Sequence, residues 1–508
     1  MNKIYITTPI FYVNDLPHIG HAYTTIICDT LAKYFKNKKF NVRFTTGTDE
    51  HGLKVEKAAN LKNKDPKSFV DDVSKNFREL GIKLEISNSD FIRTTEERHK
   101  NSAISFWNKL QENDQIYLSD YKGWYSIKDE SFYQEKELSK VNNNFFTVDG
   151  EKVEWIQEES YFFKLSNYQQ KLLDYYDDNP NFIKPKSRMN EVKSFVKSGL
   201  KDLSISRTSF NWGIKIPKKS NHIMYVWIDA LTNYLTSLGY PNFNKEQLEY
   251  WQECIHIIGK DILKFHGIYW PAMLMAADLP LPKTIFAHGW WTNEGKKISK
   301  SLGNTIDPNE MIKKYGLDQF RYFLLREVPL GNDGDFSERA FISRINSDLS
   351  NNLGNLIQRV TKFIQKNYDN MIPVSVSSDL NKYSLVEEGY SLVTKVDVLM
   401  KNLEISKSLE EIFLYINNLN KFMDTSEPWK TFKVNSEKAG ESLSILIESF
   451  RIIGIILQPF IPIASSKILD ILNIDKLHRN FDCINADNSI KKNHKLKEPL
   501  AIFPRYES

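Results

Sequence analysis

The chain has 508 residues, of which 41% are hydrophobic and 26% charged, so it is long enough for two or three domains with ordinary globular cores. This composition excludes a disordered or fibrous protein, and the net charge of +4 neither requires nor excludes a nucleic-acid partner. The cysteines Cys28, Cys254 and Cys483 lie far apart and form no CxxC pair, which argues against a disulfide framework and favours a reducing compartment. The sequence has no secretory signal and no apolar stretch of about 18 residues, and we therefore predict a cytoplasmic protein.

The first fifty residues predict a strand, a helix and a second strand. Residues 3–8 form a short apolar run, apolar residues then recur with helical spacing from Ile19 to Phe35, and residues 41–52 resemble a strand that ends in a polar turn. A strand–helix–strand unit of this kind builds a parallel sheet whose ligand site lies at the carboxyl ends of the strands. We therefore predict a Rossmann-like α/β domain.

The remaining segments predict an insertion in this domain and a helical domain after it. Aromatic and charged runs without helical periodicity fill the middle of the chain, and strand-like segments then return at residues 222–230, 254–267 and 283–291, where they would complete the parallel sheet. From about Asp335 the apolar residues follow helical spacing almost to the end. The predicted parts are 1–114 and 222–290 for the two halves of the α/β domain, 115–221 for the insert, 291–335 for a connecting segment and 336–508 for an α-helical bundle.

The first candidate site is the sequence Pro17-His18-Ile19-Gly20-His21, at the predicted start of the first helix. A helix start offers unpaired backbone N–H groups and a positive dipole end, which favour a phosphate group. A satisfied pair of core histidines fits the same spacing. A metal site fits less well, because paired zinc-binding histidines usually stand four residues apart on a helix and no third ligand lies nearby in the sequence.

The second candidate site is the lysine-rich segment "NEGKKISKSLGNTIDP", residues 293–308, which follows the last predicted strand. Lys297 and Lys300 flank a single apolar residue, and Gly295 and Gly303 would let the segment move over a polyphosphate whose charge the lysines neutralise. A solvated basic loop is the alternative for such a segment taken by itself.

Taken together, the two motifs resemble the two signature sequences of class I aminoacyl-tRNA synthetases. Further blocks are similar to the methionyl-tRNA synthetase family, namely "TTPIFYVNDLPHIGHAY", "TGTDEHG", "YKGWYS", "VWIDALTNY", "IIGKDILKFHGIYWPAML", "HGWWTNEGKKISKSLGN" and "DLSNNLGNLIQR". These blocks run from residue 7 to about residue 360. The resemblance implies a split Rossmann-like catalytic domain with a connective insert, a stem-contact segment that carries the lysine-rich loop, and an α-helical anticodon-binding domain.

The resemblance also implies a reaction. Members of the family activate L-methionine with ATP, release pyrophosphate and pass the methionyl group to the terminal adenosine of tRNA(Met) for protein synthesis. His18, His21, Lys297 and Lys300 would be the catalytic residues, contacting the phosphates as the transition state forms. The residues implied for ATP, with Mg²⁺ arriving on the nucleotide, are His18, Gly20, His21, Gly259, Asp261, His288, Gly289, Lys297, Ser299 and Lys300.

For methionine the resemblance implies an aromatic pocket, in which the polarizable thioether meets ring edges and a carboxylate anchors the ammonium group. The implied pocket residues are Tyr12, Asp49, Trp227, Ala230, Leu231, Tyr234, His266 and Trp270, with Asp49 as the ammonium anchor. In the helical domain the implied anticodon readers are Asn355, Arg359 and Trp429, because Asn and Arg offer donors to base edges and Trp offers a stacking face. Core packing and a solvated helix surface are the alternatives for these residues taken singly.

Two features depart from the family. Ser126 and Asp129 stand where many members have zinc-knuckle cysteines, and no cysteine lies between Cys28 and Cys254, so we predict no structural zinc. The chain stops at Ser508 without the oligonucleotide-binding extension that dimerises some members, and we predict a monomer.

Other assignments explain fewer of these residues. The synthetases for isoleucine, valine and leucine share both signatures but carry a large editing insertion, and a cysteine-specific synthetase needs zinc-binding cysteines. A small nucleotidyltransferase with an HxGH motif leaves the lysine-rich segment unexplained. A catalytically inactive tRNA-binding relative is disfavoured, because His18, His21, Asp49, Lys297 and Lys300 are all present.

Overall fold

The structure, a computed structural model, describes residues 2–127, 131–133, 135–142, 144–298, 304–376 and 383–507. These residues divide into two units, which are described separately. The sheet unit comprises residues 3–28 and 42–288, and the helical unit comprises residues 2, 29–41 and 289–507. Within the described ranges, no helix combines the length and the apolar character that crossing a lipid bilayer requires.

The sheet unit alternates strands and helices. Its strands are β1 (Lys3–Thr7), β2 (Phe11–Tyr12), β3 (Asn41–Asp49), β4 (Asp90–Arg93), β5 (Ile116–Ser126), β6 (Ser131–Tyr133), β7 (Ser139–Val141), β8 (Asn144–Phe146), β9 (Glu154–Phe163), β10 (Ile183–Lys184), β11 (Leu203–Ser204), β12 (Ser206–Arg207), β13 (Lys215–Ile216), β14 (Lys219–Met224), β15 (Cys254–Gly259) and β16 (Thr284–His288). Its α-helices are α1 (Ile19–Asn37, counted with the helical unit from residue 29 onward), α2 (Leu53–Leu61), α3 (Pro66–Lys83), α4 (Glu97–Glu112), α5 (Gln169–Asp178), α6 (Lys186–Lys197), α7 (Val226–Leu231), α8 (Asn233–Thr236), α9 (Lys245–Gln252) and α10 (Trp270–Ala276).

A parallel sheet forms the centre of this unit. Its strand order is β10-β16-β15-β1-β3-β2, and β4 also pairs with β3. Gly259 pairs with His288 at the ends of β15 and β16, and Tyr12 pairs with Asp49 at the ends of β2 and β3. Because parallel strands end at a common edge, these residues lie along the carboxyl edge of the sheet. The predicted Rossmann-like sheet, with strands on both sides of an insertion, is confirmed.

Consecutive residues of the central strands are buried, so both faces of the sheet are covered. β16 is buried at every position, and β15 at every position except its last. Such strands read as continuous apolar runs rather than as an alternation of apolar and polar residues. Trp107, Trp251 and Trp270 are fully buried in the same core, where truncating a side chain of this size to Ala costs about 3 to 5 kcal/mol.

The segment that the sequence predicts as an insert contains an antiparallel sheet in the order β11-β9-β5-β6. β5 and β9 pair along nearly their whole length, from Ile116 opposite Phe163 to Tyr125 opposite Glu154. The segment also contains α5 and α6, which the sequence pattern did not indicate, and β10, which pairs with β16 in the parallel sheet. The domain boundaries stay a prediction.

One predicted strand of the parallel sheet is wrong. Residues 222–224 end β14, which pairs antiparallel with β12 and β13 in a separate sheet, and helix α7 follows at once. Every residue of α7 is buried, so its apolar run lacks the polar face by which a helix is recognised in a sequence. The predicted strands at residues 254–267 and 283–291 are shorter than expected, since β15 ends at Gly259 and β16 at His288.

The helical unit begins with a small sheet and continues with helices, and the predicted helical bundle is confirmed. Its strands are β17 (Trp291–Asn293), β18 (Lys296–Lys297) and β19 (Gly334–Phe336), in the order β18-β17-β19. Its α-helices are α11 (Pro308–Tyr315), α12 (Leu317–Arg326), α13 (Glu338–Arg344), α14 (Asn355–Tyr368), α15 (Ser384–Lys401), α16 (Ile405–Ser426), α17 (Pro428–Val434), α18 (Ser436–Ile456) and α19 (Pro462–Ile471). A π-helical segment, Ile345–Gly354, joins α13 to α14.

Buried arginines form hydrogen bonds between separate elements of this unit. Arg321 on α12 donates hydrogen bonds to the Asp29 carboxylate at 2.7 Å and to the Phe460 carbonyl at 3.0 Å, and both charged side chains are fully buried. Arg451 on α18 donates to Glu448, one turn away, and to the Cys483 carbonyl at 2.7 Å. The second contact fixes the irregular segment that follows α19.

Candidate active site

The two histidines of the first motif meet at the start of α1. The backbone N–H of His18 donates to Nδ1 of His21, and the backbone N–H of Gly20 donates to Nδ1 of His18, each at 3.1 Å. Because both Nδ1 atoms accept a hydrogen bond, each neutral ring carries its proton on Nε2. The ring centres lie 4.0 Å apart. The pair therefore presents N–H donors next to a helix N-terminus, an arrangement that suits phosphate oxygens.

Gly20 is required by the position of the His18 ring. A β-carbon at Gly20 would lie 2.9 Å from Cε1 of His18, closer than van der Waals contact permits. One turn further along α1, the Thr24 hydroxyl lies 2.8 Å from Nε2 of His288 and 3.1 Å from the Gly20 carbonyl. The helix start is thereby tied to the carboxyl end of β16.

The ends of β15 and β16 bring together the predicted nucleotide residues of the sheet unit. Gly259 pairs with His288, and a β-carbon at Gly259 would lie 2.5 Å from Oδ1 of Asp261. Glycine at this position therefore lets the Asp261 carboxylate fold back onto the strand end. His18, His21, Gly259, Asp261 and His288 thus belong to one end of the parallel sheet, and their roles toward ATP stay a prediction.

The predicted methionine residues form an aromatic wall beside this edge. The indole of Trp227 stacks on Phe265 with ring centres 3.6 Å apart and planes 5° from parallel, and Tyr12 meets Trp227 edge-on at 6.4 Å. Trp227 lies on α7, and Ala230 and Leu231 follow on the same buried helix. Phe265 opens a π-helical turn, Phe265–Tyr269, a geometry that recurs at functional sites.

Tyr234 and His266 form a buried pair behind this wall. The hydroxyl of Tyr234 lies 2.7 Å from Nε2 of His266, whose Nδ1 lies 3.0 Å from the Ile262 carbonyl. Since a carbonyl can only accept, Nδ1 carries the imidazole proton and Nε2 accepts from Tyr234. Burial lowers the pKa of His266 to about 4, so the ring is neutral at physiological pH. Trp270 packs against Tyr234 with ring centres 6.2 Å apart.

Asp49, the predicted ammonium anchor, ends strand β3 and is 2% exposed. The Val13 N–H donates to its backbone carbonyl, and Asp49 pairs with Tyr12 on the neighbouring strand. The next residue, Glu50, is held rigidly: Nε of Arg93 donates to it at 2.6 Å and Thr48 donates to it at 2.8 Å. These bonds fix the segment that directly follows Asp49.

The lysine-rich segment lies in the helical unit. Lys297 pairs with Thr292 in the hairpin of β17 and β18, whose turn residues Glu294 and Gly295 both have positive φ angles, of 50° and 73°. Such turns match the twist of a hairpin. Ser299 and Lys300, which the sequence assigns to ATP, lie outside the described residues. Gly289 precedes the hairpin, and a β-carbon there would lie 2.1 Å from the Asn332 carbonyl oxygen, so only glycine fits.

The three predicted anticodon residues come together on the helical unit. Asn355 begins α14 and is exposed, and Arg359 follows one turn later. The Arg359 guanidinium carbon lies 5.6 Å from the centre of the Trp429 ring, and its Nη2 donates to Asp424 at 3.1 Å. Arg359 and Trp429 are therefore in contact across α14 and α17 although they lie far apart in the sequence.

Similarity to known proteins shows the family to which the chain belongs. The family model described as "tRNA synthetases class I (M)" matches residues 4–142 and 136–361, and the model for the "Anticodon binding domain of methionyl tRNA ligase" matches residues 372–507. The methionine–tRNA ligase of Rickettsia felis is 51% identical over 509 residues, covering 100% of this chain and 99% of that protein. The chain belongs to the methionine–tRNA ligase family. The methionine–tRNA ligase of Brucella suis is 45% identical over 505 residues, covering 99% of this chain and 98% of that protein.

Solved structures of methionine–tRNA ligases have the same fold. Mycobacterium tuberculosis methionyl-tRNA synthetase in complex with methionyl-adenylate is 42% identical and matches with a TM-score of 0.96, covering 99% of this chain and 100% of that one. The apo form of the Mycobacterium tuberculosis enzyme matches with a TM-score of 0.89 at 39% identity, covering 100% of this chain and 99% of that one. The predicted family and the predicted enzyme class, a class I aminoacyl-tRNA synthetase, are confirmed.

Several residues of this methionine–tRNA ligase emerge only from its structure. Phe265 stacks on Trp227 although only its neighbour His266 belongs to the predicted set. Asp229 binds His51 and His99 inside the sheet unit, across 178 and 130 residues of sequence. A carboxylate in the apolar run "VWIDAL" is the one signal in the sequence that could have drawn attention to this contact.

The insert of this methionine–tRNA ligase bears on the zinc prediction. Ser126 is buried at the end of β5, and Asp129 lies outside the described residues. In the part of the chain that the structure covers, no three His, Cys, Asp or Glu side chains are grouped so that they could hold a metal ion. The prediction of a zinc-free insert is left for metal analysis to test.

Proposed function

We propose that the carboxyl edge of the parallel sheet joins methionine to ATP, and that the helical unit recognises the anticodon of tRNA(Met). The observation that carries the first part is the geometry of His18 and His21. Both rings have Nδ1 occupied by a backbone N–H, at the N-terminus of a helix and beside the aromatic wall. Donors fixed in this way stabilise charge that develops on phosphate oxygens.

In the proposed first step, a carboxylate oxygen of methionine attacks the α-phosphorus of ATP. A bond forms between that oxygen and phosphorus, the bond from phosphorus to the bridging oxygen breaks, and pyrophosphate leaves with the electron pair. No covalent enzyme intermediate is required, so the protein acts by alignment and charge stabilisation. His18 and His21 donate from Nε2 to phosphate oxygens, and the sequence assigns Lys297 and Lys300 to the β- and γ-phosphates.

Methionine is held at its two ends in this proposal. The Asp49 carboxylate, at the end of β3, takes the ammonium group, and the wall of Trp227, Phe265 and Tyr12 takes the thioether. Trp227 supports this role because its buried indole N–H finds no acceptor among the described residues. The Tyr234–His266 pair closes the inner side with a neutral imidazole.

In the proposed second step, a ribose hydroxyl of the terminal adenosine of tRNA(Met) attacks the carbonyl carbon of methionyl-adenylate. An ester bond forms, the bond from that carbon to the phosphate oxygen breaks, and AMP leaves with the electron pair. The Arg359–Trp429 contact supports an anticodon role, because a guanidinium beside an indole offers both a donor fork and a stacking face. Asn355 lies one turn away on the same helix.

Mg²⁺ enters as the ATP complex, and we further propose that the protein is a cytoplasmic monomer without structural zinc.

Pyrophosphate exchange into ATP, measured with each of the twenty amino acids, tests the proposed reaction. We expect exchange with methionine and only background exchange with the other nineteen. Aminoacylation of tRNA(Met) should then require the same amino acid. Exchange that prefers leucine, isoleucine or valine, or none at all, would contradict the proposal.

A matched pair of histidine variants tests the assigned residues. His18→Ala should lower the exchange rate by about 100-fold or more, because it removes a fixed donor from the transition state, while methionine affinity stays the same. His494→Gln is the control, since His494 bonds the Leu472 carbonyl in the helical unit. Equal exchange rates in the two variants would count against the phosphate role.

A further inference from the structure

A buried carboxylate flanked by two imidazoles lies inside the sheet unit. Oδ2 of Asp229 is 2.7 Å from Nδ1 of His51, and Oδ1 is 2.7 Å from Nε2 of His99. The three residues are exposed by 1%, 3% and 0% respectively. Nδ1 of His99 lies 3.1 Å from the Thr236 hydroxyl. Each carboxylate oxygen thus has its own imidazole donor, and we call these three residues the Asp229 trio.

The trio joins three parts of the unit that are distant in sequence. His51 lies in the turn after β3, two residues beyond Asp49. Asp229 lies on α7, two residues beyond Trp227. His99 lies on α4. One carboxylate therefore connects the turn that follows the proposed ammonium anchor, Asp49, to the helix that carries Trp227 of the aromatic wall.

The electrostatics make this connection stiff. Burial by itself raises the pKa of Asp229, but the attraction and hydrogen bonds of His51 and His99 outweigh it and lower the pKa to about 2. The carboxylate is therefore charged at neutral pH, and it is too deeply buried to exchange a lost donor for bulk solvent. A buried charge with specific donors tolerates little displacement, because the unpaired state is costly.

We propose that His51, Asp229 and His99 are positioning residues for methionine, which hold Asp49 at a set distance from Trp227. The proposal rests on the proposed function, in which Asp49 takes the ammonium group and Trp227 the thioether. A ligand that uses both ends needs this distance to match its own length. A ligand that lacks the ammonium group uses only the aromatic wall and does not sense the distance. The trio thus sets how much the ammonium group adds to binding.

The test compares methionine with 4-(methylthio)butanoate, which is methionine without its amino group. The Michaelis constant for methionine and the inhibition constant for the butanoate are measured in pyrophosphate exchange with the full chain. His51→Leu removes the donor to Oδ2 of Asp229. We expect the Michaelis constant for methionine to rise about tenfold, while the inhibition constant for the butanoate changes less than about twofold. The ratio of the two constants is the readout, because general damage to the site would change both alike.

A conservative variant and a matched control complete the design. In His51→Asn the amide nitrogen replaces Nδ1, so the ratio should return to within about threefold of the original. His222→Leu removes another buried imidazole that bonds a carboxylate, Glu159 at 3.0 Å on β9, and should leave the ratio unchanged. If His51→Leu does not fold, His99→Leu serves instead, with His99→Gln as its conservative partner because His99 donates from Nε2.

The outcomes separate the two proposals. A ratio unchanged in His51→Leu, or shifted equally in His222→Leu, would overturn the positioning role while methionine-dependent exchange by the original chain still supports the proposed function. Absence of methionine-dependent exchange in the original chain would instead overturn the proposed function.

Discussion

The imidazole of His266 stays neutral because both ring nitrogens are hydrogen-bonded and the ring is buried. Nδ1 lies 3.0 Å from the Ile262 carbonyl, Nε2 accepts from Tyr234, and burial lowers the pKa to about 4. A positive charge at this place would face the proposed thioether site and lose its hydration. The residue therefore contributes a fixed shape rather than a titrating charge.

This burial predicts a pH dependence of stability. The unfolded chain binds a proton at His266 near pH 6.5, whereas the folded chain does so only near pH 4, so folding loses stability as the pH falls through this window. His266→Gln keeps an acceptor for Tyr234 but lacks the titration. Both chains are compared at pH 7 and at pH 4.5. The loss of unfolding free energy between these two pH values should be about 2 to 3 kcal/mol smaller in His266→Gln than in the original chain. Urea unfolding at the two pH values checks this, and equal losses would contradict it.

Sequence patterns single out candidate residues where chemistry restricts the residue type. His18 and His21 stand out because they lie at a helix start that favours phosphate, and Asp49 is implied by the resemblance to the family; their roles stay predictions. Phe265 and Asp229 do not stand out in this way, because an aromatic ring or a carboxylate gains its meaning from a partner elsewhere in the chain. The Asp229 contacts span 178 and 130 residues, a distance over which periodicity carries no information.

At the scale of elements, the first turn of α1 combines helix geometry with a site requirement. Gly20 is unfavourable within a helix by about 1 kcal/mol relative to Ala, yet a β-carbon there would collide with the His18 ring at 2.9 Å. The glycine therefore leaves space for the His18 ring, although it lowers the stability of the helix.

A glycine substitution separates these two effects. Gly20→Ala should leave the free energy of unfolding unchanged or raise it, while pyrophosphate exchange falls about tenfold or more because His18 is displaced. Gly81→Ala on α3 is the control, since its added carbon meets only the flexible end of Ile86 at 3.1 Å, and it should keep full exchange. A loss of stability without a loss of exchange in Gly20→Ala would refute this assignment.

The contact between α12 and the second half of α1 depends on one buried ion pair. Arg321→Met should lower the free energy of unfolding by about 1.5 to 3 kcal/mol, because the buried Asp29 carboxylate loses its fully buried partner although it keeps its ion pair with Lys33 on α1. Adding Asp29→Leu should recover part of the loss, since both charges are then absent. A double-mutant cycle by urea unfolding measures the coupling, and a loss below about 1 kcal/mol in Arg321→Met would show that the pair is unimportant.

Helix α7 shows where element prediction fails and why. A strand and a helix that are buried on every side present the same continuous apolar run. The amphipathic helices α1 and α14, whose polar residues recur with helical spacing, are predicted correctly. The sequence predicts that a parallel sheet is present. It does not predict strand β10, because the two residues of that strand, Ile183 and Lys184, are too few to show a pattern.

At the scale of the whole molecule, the proposed anticodon contact belongs to the helical unit and its loss should be separable from adenylation. Trp429→Ala in the helical unit should leave methionine-dependent pyrophosphate exchange intact and lower tRNA charging by about tenfold or more, because one stacking face for a base is lost. Trp155→Ala is the control, since Trp155 is 56% exposed in the sheet unit and should affect neither assay. Loss of exchange in Trp429→Ala would argue against an anticodon role.

Metal content is the other prediction for the whole chain. Elemental analysis of the purified protein should give less than one zinc per chain, because Ser126 stands at a position where a knuckle would need cysteine. Exchange activity should survive dialysis against a chelator once Mg²⁺ is restored. One zinc per chain that resists the chelator would overturn the account of the insert.

One carboxylate that serves two imidazoles also restricts how the sequence can change over time. Replacing His51 or His99 leaves a charged oxygen of Asp229 without its donor, and replacing Asp229 leaves two buried rings without an acceptor. A single substitution is therefore costly in any order, whereas a concerted change to apolar residues is not. Positions 51, 99 and 229 should accordingly covary among related sequences, kept together or lost together.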